Sequence, residues 1–284
     1  MNIGIIGKGF VGSAVQHGFS SDDFFKNKIK IYDKKPGLSK NSLEETVNNS
    51  DVVFLSVPTP ANIDGSINLE VIDGILNEIN CCYNGNSIIL IRSTLIPGTS
   101  KKFSEKYPSL KIVFNPEFLT ERNANLDFIN QSRIILGGIK NLTSKVAQLY
   151  KLRFGSEIPI IETNFETAEM IKYMNNCFLA TKVSFMNEMK LLANKSNVDW
   201  DIAVDGFALD PRVGSSHLSV PGIDGKLGFG GSCFPKDLQA LMCYAKSLGL
   251  DMHTLSGAWE TNLQLRPERE WEQLEGRAVI AKKN

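Results

Sequence analysis

The amino-acid sequence predicts an α/β fold in which a doubly wound parallel sheet is followed by a long central helix and a mostly helical second domain. Short runs rich in Ile and Val, such as VVFLSV and SIILIRS, alternate with amphipathic stretches through the first half of the chain. After residue 163, a long stretch carries apolar side chains at helical spacing without proline or glycine. We therefore expect one domain over residues 1–162 and a second over residues 163–284.

Length and composition indicate an ordinary soluble protein. The chain has 284 residues, 42% of them hydrophobic, which is enough for one large or two modest domains. Basic and acidic residues balance at 31 each, so no overall basic field attracts nucleic acid or an anionic membrane surface. The apolar runs are far shorter than a membrane span, and a strand begins at once without a signal peptide. The five cysteines form no CxxC pair. These features predict a cytoplasmic protein without a metal site.

The first strand, NIGII, leads into the segment GKGFVG and then into a helix. Gly7, Gly9 and Gly12 have the GxGxxG spacing, which permits a tight turn and a close approach of the backbone to a pyrophosphate at the helix N-terminus. The second strand ends at Asp33, whose carboxylate would accept hydrogen bonds from a ribose. A glycine-rich structural turn is the alternative for a lone motif. Strand, helix and acid together predict a Rossmann-like dinucleotide site.

The carboxylate of Asp33 helps to predict which dinucleotide binds. Asp33 favours NAD over NADP because its carboxylate would repel a 2′-phosphate. Lys34 and Lys35 follow directly and could pair with such a phosphate. Both lysines could equally be solvated residues of a turn.

One cysteine stands apart from the other four. In GFGGSCFPKD, Cys233 lies where a glycine-rich loop gives way to a helix with proline in its first turn. A thiol at a helix N-terminus is stabilised as thiolate by the peptide dipoles, so Cys233 is a candidate nucleophile. The alternative is a small buried hydrophobic residue. That is our interpretation of Cys81, Cys82, Cys177 and Cys243.

Polar residues recur on the long helix and at the carboxyl edge of the sheet. The segment TNFE predicts a capping box between Thr163 and Glu166 at the helix start. Lys172 and Asn176, four residues apart, share one helix face, although an isolated lysine in such a place often reaches to solvent.

Two further segments follow strands and so lie at the edge where doubly wound sheets bind ligands. NPEFLTE holds Glu117 and Glu121, and RSTLIPGT holds Ser93 and Thr94. Taken alone, the glutamates could be a solvated helix start.

Six segments together carry a resemblance: GKGFVG, RSTLIPGT, NPEFLTE, KYMNN, DPRVG and GFGGSCFPKD occur in this order in the nucleotide-sugar dehydrogenases. The chain is similar to that family from residue 1 to about residue 270. The resemblance implies an NAD-dependent oxidation of a sugar C6 alcohol to a carboxylate through a thioester on the cysteine. A nucleotide sugar would be the substrate, with UDP-glucose expected, although an N-acetylhexosamine nucleotide and GDP-mannose fit the same catalytic set.

The resemblance also implies roles for individual residues. Cys233 would be the nucleophile, Lys172 would stabilise oxyanions, and Asn176 would hydrogen-bond the sugar or a water. Glu117 would activate water for thioester hydrolysis. Asp237 would serve with Lys172 in proton transfer through water, and Thr94 would orient that water. The base of the first step stays open. Together with the glycine motif, the resemblance implies cofactor contacts at Gly7, Gly9, Phe10, Val11, Gly12, Asp33, Pro58, Thr59, Ser93, Thr94, Glu121 and Lys236. Substrate contacts would fall on Glu117, Phe118, Leu119, Glu121, Lys172, Asn176, Arg212, Phe229, Gly230 and Gly231.

Assembly follows from the same resemblance. The family dimer is built on the long central helix, here residues 164–195, so we expect a homodimer. Arg212 matches an arginine that reaches the substrate of the neighbouring subunit. The family typically carries a third domain that covers the UDP end of the substrate. This chain stops at EGRAVIAKKN, so we expect that domain to be absent.

Two other interpretations are open. The β-hydroxyacid dehydrogenases share the N-terminal dinucleotide fold, the long helix and a lysine near an asparagine, and they perform a single hydride transfer. That family requires neither Cys233 nor NPEFLTE. The second alternative is a catalytically weak relative that binds NAD and serves as an interaction module.

Overall fold

A computed structural model describes residues 1–281 of the chain. The last three residues of the expected second domain, 282–284, lie outside the described residues. The described chain holds one sheet with the strand order β2-β1-β3-β4-β5-β6-β7. Its strands are β1 (Ile3–Ile6), β2 (Ile29–Tyr32), β3 (Val52–Leu55), β4 (Ile88–Ile91), β5 (Lys111–Phe114), β6 (Ile134–Gly138) and β7 (Ile160–Thr163).

Helices connect these strands and make up most of the later chain. They are α1 (Phe10–Ser20), α2 (Leu43–Asn48), α3 (Glu70–Cys82), α4 (Thr99–Lys106), α5 (Ala124–Ile129), α6 (Lys140–Phe154), α7 (Phe165–Ala193), α8 (Trp200–Ala208), α9 (Phe234–Ser247) and α10 (His253–Leu265), followed by the 3-10 helix Glu270–Gln273. No helix within residues 1–281 is both long and apolar enough to cross a membrane.

The sheet confirms the doubly wound α/β class, with one departure from a wholly parallel arrangement. β1, β3 and β4 are buried along their whole length, which matches their uninterrupted apolar sequences. The pairs β1–β2, β1–β3, β3–β4, β4–β5 and β6–β7 are parallel. β5 and β6 pair antiparallel through Val113 with Gly138 and Phe114 with Gly137. β6 and β7 therefore run opposite to the other strands.

Side chains of alternate strand residues pack into two apolar cores, one on each face of the sheet. Phe19 and Phe128 meet Phe54 in one core, where the ring centroids of Phe19 and Phe54 are 5.4 Å apart. Ile6 and Ile89 belong to the core on the other face. Each large apolar side chain buried this way contributes about 2–3 kcal/mol, so the sheet is a firm base for the loops at its carboxyl edge.

Helix α7 confirms the long central helix, with 29 residues. Its N-terminal cap differs from the expected capping box. The Asn164 side chain accepts a hydrogen bond of 2.8 Å from the Thr167 amide, so Asn164 is the cap in place of Thr163. Asn caps a helix as well as Thr does, and the expected partner Glu166 lies 4.0 Å from the Lys101 ammonium instead.

The described chain forms two compact units. Within the described residues, the first comprises residues 1–59 and 69–172, and the second comprises residues 60–68 and 173–281. Residues 60–68 join the second unit because Ala61 pairs with its C-terminal segment. The Ala61 amide donates to the Ala278 carbonyl at 2.9 Å, and the Ile280 amide donates to the Ala61 carbonyl at 2.9 Å. The domain boundary at residues 162 and 163 stays a prediction.

Candidate active site

The glycine turn after β1 has the shape that a pyrophosphate requires. Gly7 has φ of +86°, and a Cβ at that position would lie 2.3 Å from the Ser56 carbonyl oxygen. A Cβ at Gly12 would lie 2.0 Å from the Gly7 carbonyl oxygen, so helix and turn touch. Gly9 is the N-cap of α1, and nothing lies within 4 Å of a Cβ built there. The backbone around Gly9 is therefore accessible to a ligand at the start of α1, next to Phe10 and Val11.

The Asp33 carboxylate lies beside this turn. One of its oxygens accepts from the Lys8 amide at 2.6 Å, and the other accepts from the Lys35 amide at 2.7 Å. These bonds fix an anionic group at the end of β2, where it can accept from ribose hydroxyl groups. The Lys34 ammonium is paired with Glu78 at 2.7 Å. Glu78 thus engages one of the two lysines that could have met a 2′-phosphate.

Two neighbouring strand ends complete this edge of the first unit. The Ser93 hydroxyl, just after β4, donates to the Val57 carbonyl at 2.7 Å and accepts from the Val57 amide at 3.1 Å. This pairing fixes the segment after β3 that carries Pro58, which is exposed, and Thr59, which is buried. Thr94 is half-buried. All these residues lie at the carboxyl ends of parallel strands, as the sequence predicts.

A buried ion pair joins α7 to the segment after β5. The Lys172 ammonium donates to a Glu117 carboxylate oxygen and to the Glu117 carbonyl, both at 2.6 Å. The side chains are 3% and 6% exposed, so each charge depends on the other for compensation. The other Glu117 oxygen accepts from the Leu119 amide at 2.8 Å. Lys172 is therefore held in place, in contrast to a lysine reaching to solvent.

The remaining residues of the NPEFLTE segment differ in exposure. The Phe118 ring is half-buried and lies 5.7 Å from the Lys172 ammonium. Glu121 is exposed. The two glutamates predicted four residues apart thus lie in different environments: Glu117 is buried beside Lys172, and Glu121 is exposed.

A buried carboxylate on α7, that of Glu169, was not predicted from the sequence. Glu169 accepts hydrogen bonds from the Gly98 amide at 2.6 Å and from the Ser100 amide at 2.7 Å, at the N-terminus of α4. Burial raises the pKa of the Glu169 carboxyl to about 7, although these hydrogen bonds act in the opposite direction. Glu169 thus fastens the segment after Thr94 to the helix that carries Lys172.

In the second unit, Asp237 is the centre of a buried polar cluster. One Asp237 oxygen accepts from the Asn176 side-chain amide at 2.6 Å, and the other accepts from the Lys236 ammonium at 2.6 Å. All three side chains are buried. The structure therefore brings Asn176 and Asp237 together. The Lys236 ammonium is engaged by Asp237.

Cys233 is the N-cap of α9. Its side chain is half-buried, and its sulfur lies 3.8 Å from the Ser232 hydroxyl oxygen. The Asp237 amide donates to the Cys233 carbonyl at 2.8 Å, so both residues belong to one helical turn. Cys233 therefore lies at the N-terminal end of α9, one turn before Asp237.

The other cysteines have varied environments. Cys177 is buried, and burial raises the pKa of its thiol well above the usual range. Cys82 and Cys243 are half-buried. Cys81 is exposed, so the interpretation of that residue as a buried hydrophobic one is wrong, since Cys81 lies on the solvent side of α3.

The remaining predicted substrate residues lie in two places. Phe229, Gly230 and Gly231 form part of the loop before Cys233, where Phe229 is buried and Gly231 exposed. Arg212 is exposed and forms a bidentate pair with Asp210, at 2.9 and 3.0 Å from its Nε. The structure shows no contact between Arg212 and the loop.

The described residues fit NAD at the first unit. The open Gly9 backbone, the start of α1 and the fixed Asp33 carboxylate match the pyrophosphate and ribose of a dinucleotide. Across residues 1–281, no group of three or more His, Cys, Asp or Glu side chains could hold a metal ion.

Sequence reasoning missed residues that organise the site. Glu169 lies three residues before Lys172 on α7, so a third polar residue on that helix face was an available signal. Asn262 on α10 contacts the backbone of the loop before Cys233, and no sequence pattern marks it.

Comparison with known proteins matches both units. Residues 29–153 match the NAD binding domain of the UDP-glucose/GDP-mannose dehydrogenase family. Residues 166–264 match the central domain of the same family.

Individual relatives agree with these matches. UDP-glucose 6-dehydrogenase TuaD of Bacillus subtilis (strain 168) is 35% identical over 233 residues, which cover 80% of this chain and 49% of the relative. UDP-glucose 6-dehydrogenase of Rickettsia bellii (strain RML369-C) is 32% identical over 295 residues, which cover 92% of this chain and 67% of the relative. The structure of a UDP-glucose dehydrogenase from Pyrobaculum islandicum superposes with a TM-score of 0.80 at 29% identity and covers 94% of this chain and 71% of that one. The chain thus spans about half the length of the Bacillus subtilis relative.

The buried Glu169 carboxyl predicts a pH-dependent stability. An unfolded glutamate ionises near the reference pKa of 4.5, whereas the folded residue ionises near 7. The stability gained from protonated Glu169 is therefore complete below about pH 4.5 and is lost as the pH rises to about 7. We expect wild type to lose up to about 3 kcal/mol relative to Glu169→Gln over that range.

Urea denaturation followed by circular dichroism at several pH values measures this difference. Glu105→Gln, an exposed glutamate on α4, is the matched control and should keep the pH dependence of wild type. Parallel pH profiles for wild type and Glu169→Gln would contradict the assignment.

Proposed function

Because the chain belongs to the UDP-glucose/GDP-mannose dehydrogenase family, we propose that it oxidises the C6 alcohol of a nucleotide sugar to a carboxylate with NAD. UDP-glucose is the proposed substrate, since the two curated relatives and the solved structure compared above are named UDP-glucose 6-dehydrogenase or UDP-glucose dehydrogenase. The observation that carries the proposal is Cys233, a half-buried thiol at the N-cap of α9, one turn before the buried Asp237.

The glycine turn and Asp33 would hold NAD, which would supply a hydride acceptor for each of the two oxidations. Further cofactor contacts are proposed for Pro58, Thr59, Ser93, Glu121 and Lys236. Removal of a hydride and a proton from the alcohol gives an aldehyde. The Cys233 thiolate would then attack the aldehyde carbon, forming a C–S bond and a thiohemiacetal.

The second oxidation would remove a hydride from the thiohemiacetal carbon and a proton from its hydroxyl group, which leaves a thioester. Water then adds to the thioester carbonyl, the C–S bond breaks, and the thiol and the sugar carboxylate are released. Covalent capture keeps the reactive aldehyde bound between the two oxidations. Under this proposal, the need to retain the aldehyde accounts for a cysteine at the start of α9.

Buried charged side chains support roles for three further residues, Lys172, Glu117 and Asp237. Lys172 is a desolvated cation, which suits it to stabilise oxyanions. Glu117, its partner, is proposed to activate the hydrolytic water, and Thr94 to orient that water. Asp237, buried with Asn176, is proposed to relay protons through water.

We further propose that the protein is a homodimer formed through α7. Met174, Phe178 and Phe185 are 63%, 65% and 47% exposed on this helix. Their spacing of four and seven residues places them on one stripe, and an exposed apolar stripe of this kind is typical of a helix interface. Arg212, exposed after α8, is proposed to reach the substrate of the partner subunit.

Phe178→Glu tests the dimer, because a charge at the centre of the stripe would be buried without a partner. Sedimentation velocity should show twice the mass of the 31.4 kDa chain for wild type and a single chain for the variant. Leu152→Glu on α6, whose side chain is also exposed, should leave the mass unchanged. A monomeric wild type would overturn the proposal.

Cys233→Ala tests the covalent route. Without the thiol no thioester forms, so carboxylate production from UDP-glucose and NAD should fall about 10³-fold or more. Mass spectrometry of the sugar product measures this rate, and NAD titration should show unchanged binding. Cys81→Ala, at an exposed cysteine of α3, is the control and should keep full activity. Carboxylate formation by Cys233→Ala at the wild-type rate would refute the nucleophile assignment.

A further inference from the structure

The loop before Cys233 has no regular secondary structure and is nevertheless held by buried side chains. We call residues 227–231 the glycine loop. Within it, Phe229 and Gly230 belong to neither helix nor strand. Backbone of this kind normally takes its hydrogen bonds from water or from side chains. Here the partners are side chains of α7, α10 and the 3-10 helix.

Asn262 on α10 makes a reciprocal pair of bonds with one residue of the loop. Its side-chain oxygen accepts from the Phe229 amide at 2.7 Å, and its side-chain NH₂ donates to the Phe229 carbonyl at 3.0 Å. The Asn262 side chain is completely buried. An asparagine amide carries the same donor and acceptor as a peptide group, so Asn262 pairs with Phe229 as a neighbouring strand would.

The fit between Asn262 and the glycine loop is tight. Gly228 has φ of +68°, and a Cβ there would lie 2.4 Å from the Asn262 side-chain oxygen. The Gly228 amide donates to the side-chain oxygen of the buried Asn187, on α7, at 3.1 Å. Two asparagines from two helices thus set the position of consecutive loop amides.

One helical turn after Asn262, Arg266 fixes the flanks of the loop. Its guanidinium donates to the Leu227 carbonyl at 3.4 Å and pairs with Asp224 at 2.6 Å. It also pairs with Glu270 at 2.6 Å, and a Cβ at Gly230 would lie 1.8 Å from a Glu270 oxygen. The glycine loop therefore rests against the ion pair of the buried Arg266 and the half-buried Glu270, which restricts its conformation.

We propose that Asn262 is a positioning residue for substrate binding: it holds the glycine loop in the conformation that receives the nucleotide sugar, with Asn187 as its partner. The inference rests on the proposed function, under which the loop contacts the sugar. A loop ordered before binding does not lose conformational entropy when the ligand arrives. Loss of Asn262 should therefore weaken sugar binding specifically, since the glycine turn and Asp33 that would hold NAD belong to the other compact unit.

Asn262→Ala tests this in steady-state kinetics with UDP-glucose and NAD. Removing two buried hydrogen bonds should raise the KM for UDP-glucose roughly tenfold or more, while the KM for NAD changes less than about twofold. The matched control is Ser184→Ala. The buried Ser184 hydroxyl, on α7, donates to the Ala258 carbonyl of α10 at 2.7 Å, so this variant weakens the same helix pair without touching the loop.

The control separates positioning from general stability. Ser184→Ala should lower the melting temperature and leave the KM for UDP-glucose unchanged. If Asn262→Ala raises this KM no more than Ser184→Ala does, the inference is wrong. If Asn262→Ala does not fold, Asn187→Ala carries the test, and a smaller rise in the same KM is expected.

A second measurement distinguishes failure of the inference from failure of the proposed function. If wild type does not oxidise UDP-glucose, the proposed function fails on its own. The rate of amide hydrogen exchange in residues 227–231 then still reports how well the glycine loop is ordered. Faster exchange of that peptide in Asn262→Ala than in Ser184→Ala supports loop positioning, and equal exchange overturns it.

Discussion

The buried polar face of α7 is the constraint on which both compact units depend. Burying a polar or charged side chain is costly unless it finds a partner. Each buried polar residue on this face forms a hydrogen bond or an ion pair with an irregular segment or a helix end. The residues of the candidate site lie in or next to those segments. The four residues are Glu169, Lys172, Asn176 and Asn187. At 100° per residue they lie within an arc of about 60°, so one helix face sets the position of four loop or helix segments.

The opposite face of α7 is apolar and exposed. Met174, Phe178, Phe185 and Leu192 lie within an arc of about 40° on the other side of the helix. This is the reverse of an ordinary amphipathic helix, whose polar side faces water. It accounts for the apolar positions spread over more than one stripe in the sequence. It also links assembly to chemistry, because the helix that would form the dimer holds the ion pair and the asparagines on its inner face.

Local signals in the sequence predicted much of this fold, and contacts distant in the chain account for what they missed. The turn at residues 7–12 could be read because its glycines, strand and helix are adjacent in sequence. The cap at Asn164 could not be assigned over Thr163, because either side chain can accept from an amide in the first turn of the helix. The direction of β6 depends on pairing with β5 across an intervening helix. Glu169 and Asn262 owe their importance to backbone groups 69 and 33 residues away.

The central claim is a four-electron oxidation on a chain that carries both Cys233 and an NAD-binding domain. The most direct test is the amount of NADH formed from limiting UDP-glucose with excess NAD, measured by absorbance as a ratio to the sugar consumed. The account predicts a ratio of two, because aldehyde capture on Cys233 commits each sugar to a second oxidation. A ratio of one would contradict it and would indicate a single hydride transfer in which the cysteine has no covalent role.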